Sequence, residues 1–140
     1  MNFKSALQIL CKILDDDDFT IHPKFKEELS NLLNGTLKGQ ESDFFNRFIK
    51  LLSQLKSQGR NIDKIDSHEK LSHYGNGRWY SLHIRTKYIN FRMLITFSED
   101  SRIFLLSCFD EKSGKKQTGY QRYIPVLKAR LSELESESNE

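Results

Sequence analysis

Two prolines, two cysteines and one tryptophan among 140 residues leave little room for covalent or conformational staples. Cys11 and Cys108 stand far apart and lack the close spacing of a metal knot, so they read as two reduced, partly buried thiols of an intracellular protein. No apolar run approaches the roughly 18–20 residues that span a bilayer. The N-terminal stretch Met1–Cys11 is faintly like a signal peptide. However, Gln8 and Lys12 interrupt its apolar run, and Asp15–Asp18 follow where small residues and a cleavage site belong. That segment is therefore expected to stay on the protein as a helix.

What is present suits one domain with a real core: 37% hydrophobic residues, ten of the residues being Phe. The net charge of +3 conceals an asymmetry. From Arg78 to Arg130 eleven basic residues stand against four acidic ones, residues 1 to 77 balance, and the last ten carry four Glu. A positive surplus confined to one part of the chain points to an anionic partner, nucleic acid first, although an acidic protein answers the same charge.

Phe3, Leu7, Leu10, Cys11 and Leu14 fall at helical spacing and predict a first helix. The four aspartates after it read as a solvated loop. Phe19-Thr20-Ile21 is β-prone and precedes His22-Pro23, and proline is favoured at the first helical position, so a strand at 19–22 hands over to a helix. That helix buries Phe25, Leu29, Leu32 and Leu33 and stops at Asn34-Gly35. A second helix, from about Ser42 to Ser57, carries a broad face of Phe44, Phe45, Phe48, Leu51, Leu52 and Leu55 and closes at Gly59. The pair predicts an antiparallel helical hairpin. Residues 59–77, polar and without a period, read as a long loop that contains His68 and His73.

Three β-like runs follow, Arg78–Arg85, Tyr88–Phe97 and Arg102–Phe109, predicting an antiparallel meander. Asp110–Gly119 is a lysine- and glycine-rich loop. A last helix turns Tyr120, Tyr123, Ile124, Leu127, Leu131 and Leu134 inward. Pro125 is tolerated only within its first turn, so regular helix begins at Gln121 or later. The tail from Glu135 is acidic and expected to fray. The expected fold class is α+β: a small, mainly antiparallel four-stranded sheet, an N-terminal helical hairpin and a C-terminal helix. Residues 1–18 form an added N-terminal extension, 19–135 the domain, and 136–140 the tail.

Alternation along the strands carries the functional inference. Leu82 and Ile84 point one way and Ser81, His83 and Arg85 the other. Ile89, Phe91, Met93, Ile95 and Phe97 form an apolar row opposite Tyr88, Asn90 and Arg92. A two-residue turn opposes Arg85 to Tyr88 and His83 to Asn90; a four-residue turn opposes Arg85 to Asn90 and His83 to Arg92. Either even-length turn keeps the polar sets on one face, so His83, Arg85 and Arg92 are expected to share a surface patch. Two guanidiniums can clamp a phosphodiester, an imidazole exchanges protons near neutrality, and Tyr88, Tyr120 and Tyr123 offer stacking surfaces for bases. Lys87 in the turn and Lys112, Lys115 and Lys116 in the basic loop add phosphate contacts. Cleavage of RNA by its own 2′-hydroxyl needs a proton acceptor, cations and a proton donor, and no metal or other cofactor. The plainer alternative is a sheet face whose Arg and His simply meet water.

The stretch from His73 to Leu134 resembles the RelE/HigB group of the RelE/ParE superfamily, toxins of two-gene toxin–antitoxin systems. The matching features are Trp-Tyr-Ser-Leu-His-Ile-Arg at 79–85, Asn-Phe-Arg-Met-Leu-Ile at 90–95, Ile-Phe-Leu-Leu-Ser-Cys-Phe at 103–109, then a lysine-rich loop and a helix. Phe19–Ser57 fits the same order upstream. The resemblance implies a cytoplasmic, ribosome-dependent messenger-RNA endoribonuclease held in check by a cognate antitoxin, with the ribosome and mRNA as further partners and no membrane. It implies that Arg92 contacts the scissile phosphate, that His83 and Arg85 are the basic pair of the preceding strand, and that Tyr120 or Tyr123 completes the site. Residues 1–18 and Pro125 depart from the family pattern. Two other functions fit the same expected fold: ParE-like inhibition of DNA gyrase, and a non-catalytic RNA- or protein-binding domain.

Overall fold

The computed structural model describes residues 3–15, 18–59, 61–65, 67–71, 79–100, 102–111 and 120–138. Its elements run α1 (Phe3–Leu14), β1 (Phe19–Ile21), α2 (Pro23–Leu33), α3 (Glu41–Gln58), β2 (His68–Lys70), β3 (Tyr80–Arg85), β4 (Asn90–Phe97), β5 (Ile103–Asp110) and α4 (Ile124–Ser138), with single 3-10 turns at Ile62–Lys64 and Tyr120–Arg122. The fold is α+β around one mixed sheet of five strands, in the order β1-β5-β4-β3-β2. The expected four-stranded sheet gains a strand, because His68–Lys70, read from sequence as loop, pairs antiparallel with Tyr80–Leu82. Three polar residues have no amphipathic period of their own; the ladder of β3 makes them a strand. β1 pairs parallel with β5, Phe19 opposite Ile103, while β3, β4 and β5 form the expected antiparallel meander.

Local chemistry explains the helix boundaries. His22 caps α2 by accepting the Lys24 N–H on its Nδ1 at 3.0 Å, and Pro23 occupies the first turn, where a missing N–H costs nothing. α3 ends at Gly59, whose φ of +53° is the left-handed region that a side chain disfavours. α4 begins at Ile124, which puts Pro125 in its first turn, and it stays helical to Ser138, past the Glu135 where fraying was expected.

The sheet is covered on both faces. The larger core joins Phe25, Leu29 and Leu33 of α2 and Phe44, Phe45, Phe48 and Leu52 of α3 to Leu82, Phe91, Met93 and Ile95. α1 packs there too, through Ala6 and Leu10 with Ile9 and Ile13 beside them; Cys11 falls off this stripe and is exposed, against the expectation of a partly buried thiol. Cys108 is buried, and burial pushes its thiol well up. A second core lies on the opposite face, where Trp79, Leu94, Phe104 and Leu106 meet Tyr120, Ile124, Leu127 and Leu134. A register shift at Leu94/Ile95 brings Leu106 between the paired residues of β4 and β5. α2 and α4 meet at the edge of β5: Arg130 Nη1 donates to Glu28 Oε1 and to the Leu106 carbonyl, each at 2.8 Å, and His22 Nε2 lies 2.7 Å from Glu133.

Candidate active site

The register places the polar residues of the sheet. The turn between β3 and β4 holds four residues, so His83 stands opposite Arg92 and Arg85 opposite Asn90. Arg92 stands in turn opposite Phe109, and Glu69 opposite Ser81. Two adjacent cross-strand rows, Glu69–Ser81 and His83–Arg92–Phe109, thus lie on the face that α4 covers. The 3-10 turn before α4 sets Tyr120 over them.

Four side chains converge on the Tyr120 hydroxyl. It lies 3.1 Å from Glu69 Oε1, 3.1 Å from Ser81 Oγ and 3.3 Å from His83 Nε2, and it accepts a short hydrogen bond from Arg92 Nη1. Arg92 Nη1 is also 3.2 Å from His83 Nε2 and 3.6 Å from Glu69 Oε1, and Ser81 Oγ is 3.0 Å from His83 Nε2. A guanidinium has donors only, so the imidazole nitrogen facing it is an acceptor without a proton. Burial and the positive charges of Arg92 and Arg85 hold the His83 pKa down to about 4. Burial raises the Tyr120 pKa, against the hydrogen bonds of Ser81 and Arg92. At neutral pH the site thus contains a neutral imidazole, a protonated phenol, a carboxylate and a guanidinium within hydrogen-bonding reach of one another.

The expected shared patch is corrected in one respect. His83 and Arg92 come together, but Arg92 is only 8% exposed. The face carrying it is not solvated, because Trp79, Leu94, Phe104 and Leu106 turn the same side into a second core beneath α4. Arg92 Nε is buried without a partner among the described residues. Arg85 is exposed at the end of β3 and reaches His83 through its charge rather than through a hydrogen bond. Tyr123 stays outside the cluster and stacks on Phe109 at 4.5 Å between centroids, next to Arg92 in the register. Tyr88 is 63% exposed in the β3–β4 turn, with Lys87 Nζ 5.7 Å from its ring centre. Lys112, Lys115 and Lys116 lie outside the described residues.

Glu69 and Ser81 were not singled out as site residues from the sequence. Ser81 carried a signal, alternating with His83 on the polar side of β3; Glu69 carried none, because its strand had no period to betray it. Three or more His, Cys, Asp or Glu side chains placed to hold a metal are not found among the described residues, and no described helix is long and apolar enough to cross a membrane. Comparisons with protein-family models, curated proteins and solved structures return no match.

Proposed function

We propose that the chain is an endoribonuclease that cuts RNA through its own 2′-hydroxyl. The observation that carries the reading is the convergence of His83, Arg92, Glu69 and Ser81 on the Tyr120 hydroxyl. His83, unprotonated above about pH 4, accepts the 2′-hydroxyl proton as that oxygen attacks the adjacent phosphorus. Arg92, with Arg85 at the rim, offsets the charge that builds on the phosphorane. Tyr120 gives its proton to the departing 5′-oxygen, since a phenol is far more acidic than the alcohol that forms, and recovers one from the imidazolium of His83. The products are a 2′,3′-cyclic phosphate and a free 5′-hydroxyl. Phe109 and Tyr123 offer a stacked aromatic wall beside the phosphate position. Glu69 neutralises Arg92 at rest and gives way to the incoming phosphate.

The strand motifs and the order of elements support placing this activity in the RelE/HigB group. In that reading the protein is a cytoplasmic toxin that cuts messenger RNA on the ribosome and is restrained by a cognate antitoxin. Expression of the chain should arrest growth, and primer extension on an in-vitro translation reaction should show cuts at codon boundaries that disappear with Arg92→Ala. Intact message together with DNA damage would transfer the protein to gyrase inhibition.

The burial of Arg92 favours a second reading, a non-catalytic binding domain in which the cluster is a structural hydrogen-bond network under Tyr120. RNA that is bound and released intact by the wild-type chain would select it.

A further inference from the structure

β2 is shorter than its neighbour, and the sheet is left open where it stops. Its ladder with β3 ends at Leu82, and beyond it the His83 N–H reaches the Ser67 carbonyl at 3.0 Å. Between this edge and α3 lies a cavity of about 260 Å³, whose polar lining is Arg47, Lys50, Gln54, Ser67, His83 and Arg85. Leu51 and Ile84 are its apolar part, and among the described residues no carboxylate lines it. Arg47 donates its Nε to both oxygens of Asp43 at 3.2 Å, which anchors the side chain along α3 and leaves its Nη groups for an outside acceptor. Lys50 and Arg85 are exposed and have no acidic partner among the described residues. Three cations around one concavity repel each other, and the field they make there attracts an anion.

We propose that this groove holds the phosphodiester backbone of single-stranded RNA next to the nucleotide being cut, an inference that rests on the endoribonuclease reading. His83 supplies the continuity: the residue lines the groove at the open edge of β3, and its Nε2 faces Arg92 and Tyr120 on the α4 side of the sheet. A strand whose scissile phosphate sits at the cluster therefore passes His83 and meets Arg85, then Lys50 and Arg47. The cations come from two elements, and Gln54 and Ser67 add neutral donors. The cavity has room for a phosphate and its sugar but not for a helix or a strand of a partner protein. These contacts are to backbone and carry no base preference.

The test is binding of the full chain to a fluorescent 2′-O-methyl oligoribonucleotide, which cannot be cleaved, at several salt concentrations. Each phosphate contact on a single strand contributes about 0.7 to the slope of log affinity against log salt. The Arg47→Gln/Lys50→Gln double variant should bind more weakly, with a slope shallower by about 1.4. Lys26→Gln/Lys38→Gln, which removes the same charge outside the groove, should keep the wild-type slope. Unchanged thermal melts exclude a folding defect, and single substitutions at Arg47 or Lys50 replace the double variant if it melts early. Wild-type binding with an unaltered slope in the groove variant overturns the groove and leaves the endoribonuclease reading standing. No binding by the wild type removes both. Poly-glutamate bound through Arg47 and Lys50 in place of RNA would make the groove a protein-docking site and overturn the proposal.

Discussion

Tyr120 and Glu69 meet at 3.1 Å, phenol to carboxylate, although one precedes α4 and the other belongs to a three-residue edge strand. The contact ties the last part of the chain to the rim of the sheet. It also brings Arg92 and His83 under a single hydroxyl.

Tyr120→Phe keeps the ring and removes that hydroxyl. Ser81, His83 and Arg92 then lose a shared partner in a buried place, which should cost about 1–3 kcal/mol. Urea unfolding checks the size. The variant should also lose RNA cleavage while keeping RNA affinity, and a variant that cleaves normally would remove Tyr120 as proton donor.

Glu69→Gln removes the carboxylate 3.6 Å from Arg92. With its resting counter-charge gone, the guanidinium should hold a phosphate more tightly, so affinity for the uncleavable oligoribonucleotide should rise at low salt. Weaker binding would mean that Glu69 itself helps to hold the RNA.

Stability should fall on acidification through the titration of His83. Its folded pKa, about 4, lies below the usual 6.5, so between those values the unfolded chain binds the extra proton. The contribution is complete above about pH 6.5 and is lost as pH falls towards 4. Melting temperature against pH should therefore drop across that interval, and His83→Gln should flatten that part of the curve.

Arg130→Met tests the join of α2 to α4. Arg130 is largely buried, bonds Glu28 twice and reaches the Leu106 carbonyl, so its loss removes the cation from a partly buried carboxylate, which keeps Ser107 Oγ and the Cys108 N–H, and takes a donor from the carbonyl. A loss of about 1–3 kcal/mol is expected, and a double-mutant cycle with Glu28→Gln should show coupling. Additive effects would show that the Arg130–Glu28 pair does not couple the two helices.

Much of this architecture could be read from residue order. His22-Pro23 marks the passage from β1 to α2, the Phe-rich stripe of α3 marks the first core, and an even-length turn puts His83 and Arg92 on one face whichever turn forms. What could not be read depends on non-local pairing. His68–Lys70 becomes a strand only because β3 supplies its ladder, so Glu69 reaches the site unannounced. Leu94, Phe104 and Leu106 sit on the polar side of the expected alternation. Their burial under α4 turns a surface patch into a recess roofed by Tyr120, a difference set by where a distant helix lands.

The parallel pairing of β1 with β5 has a consequence for biogenesis. Phe19 cannot find Ile103 until every residue between them has been made. On a ribosome, α1, α2 and α3 therefore emerge with Phe25, Phe44 and Phe48 lacking the strands that will cover them. The meander is local in sequence and can form quickly, but it comes late. The newborn chain thus passes through an interval of sticky, unsheathed helices, in which its vulnerability to clumping is highest.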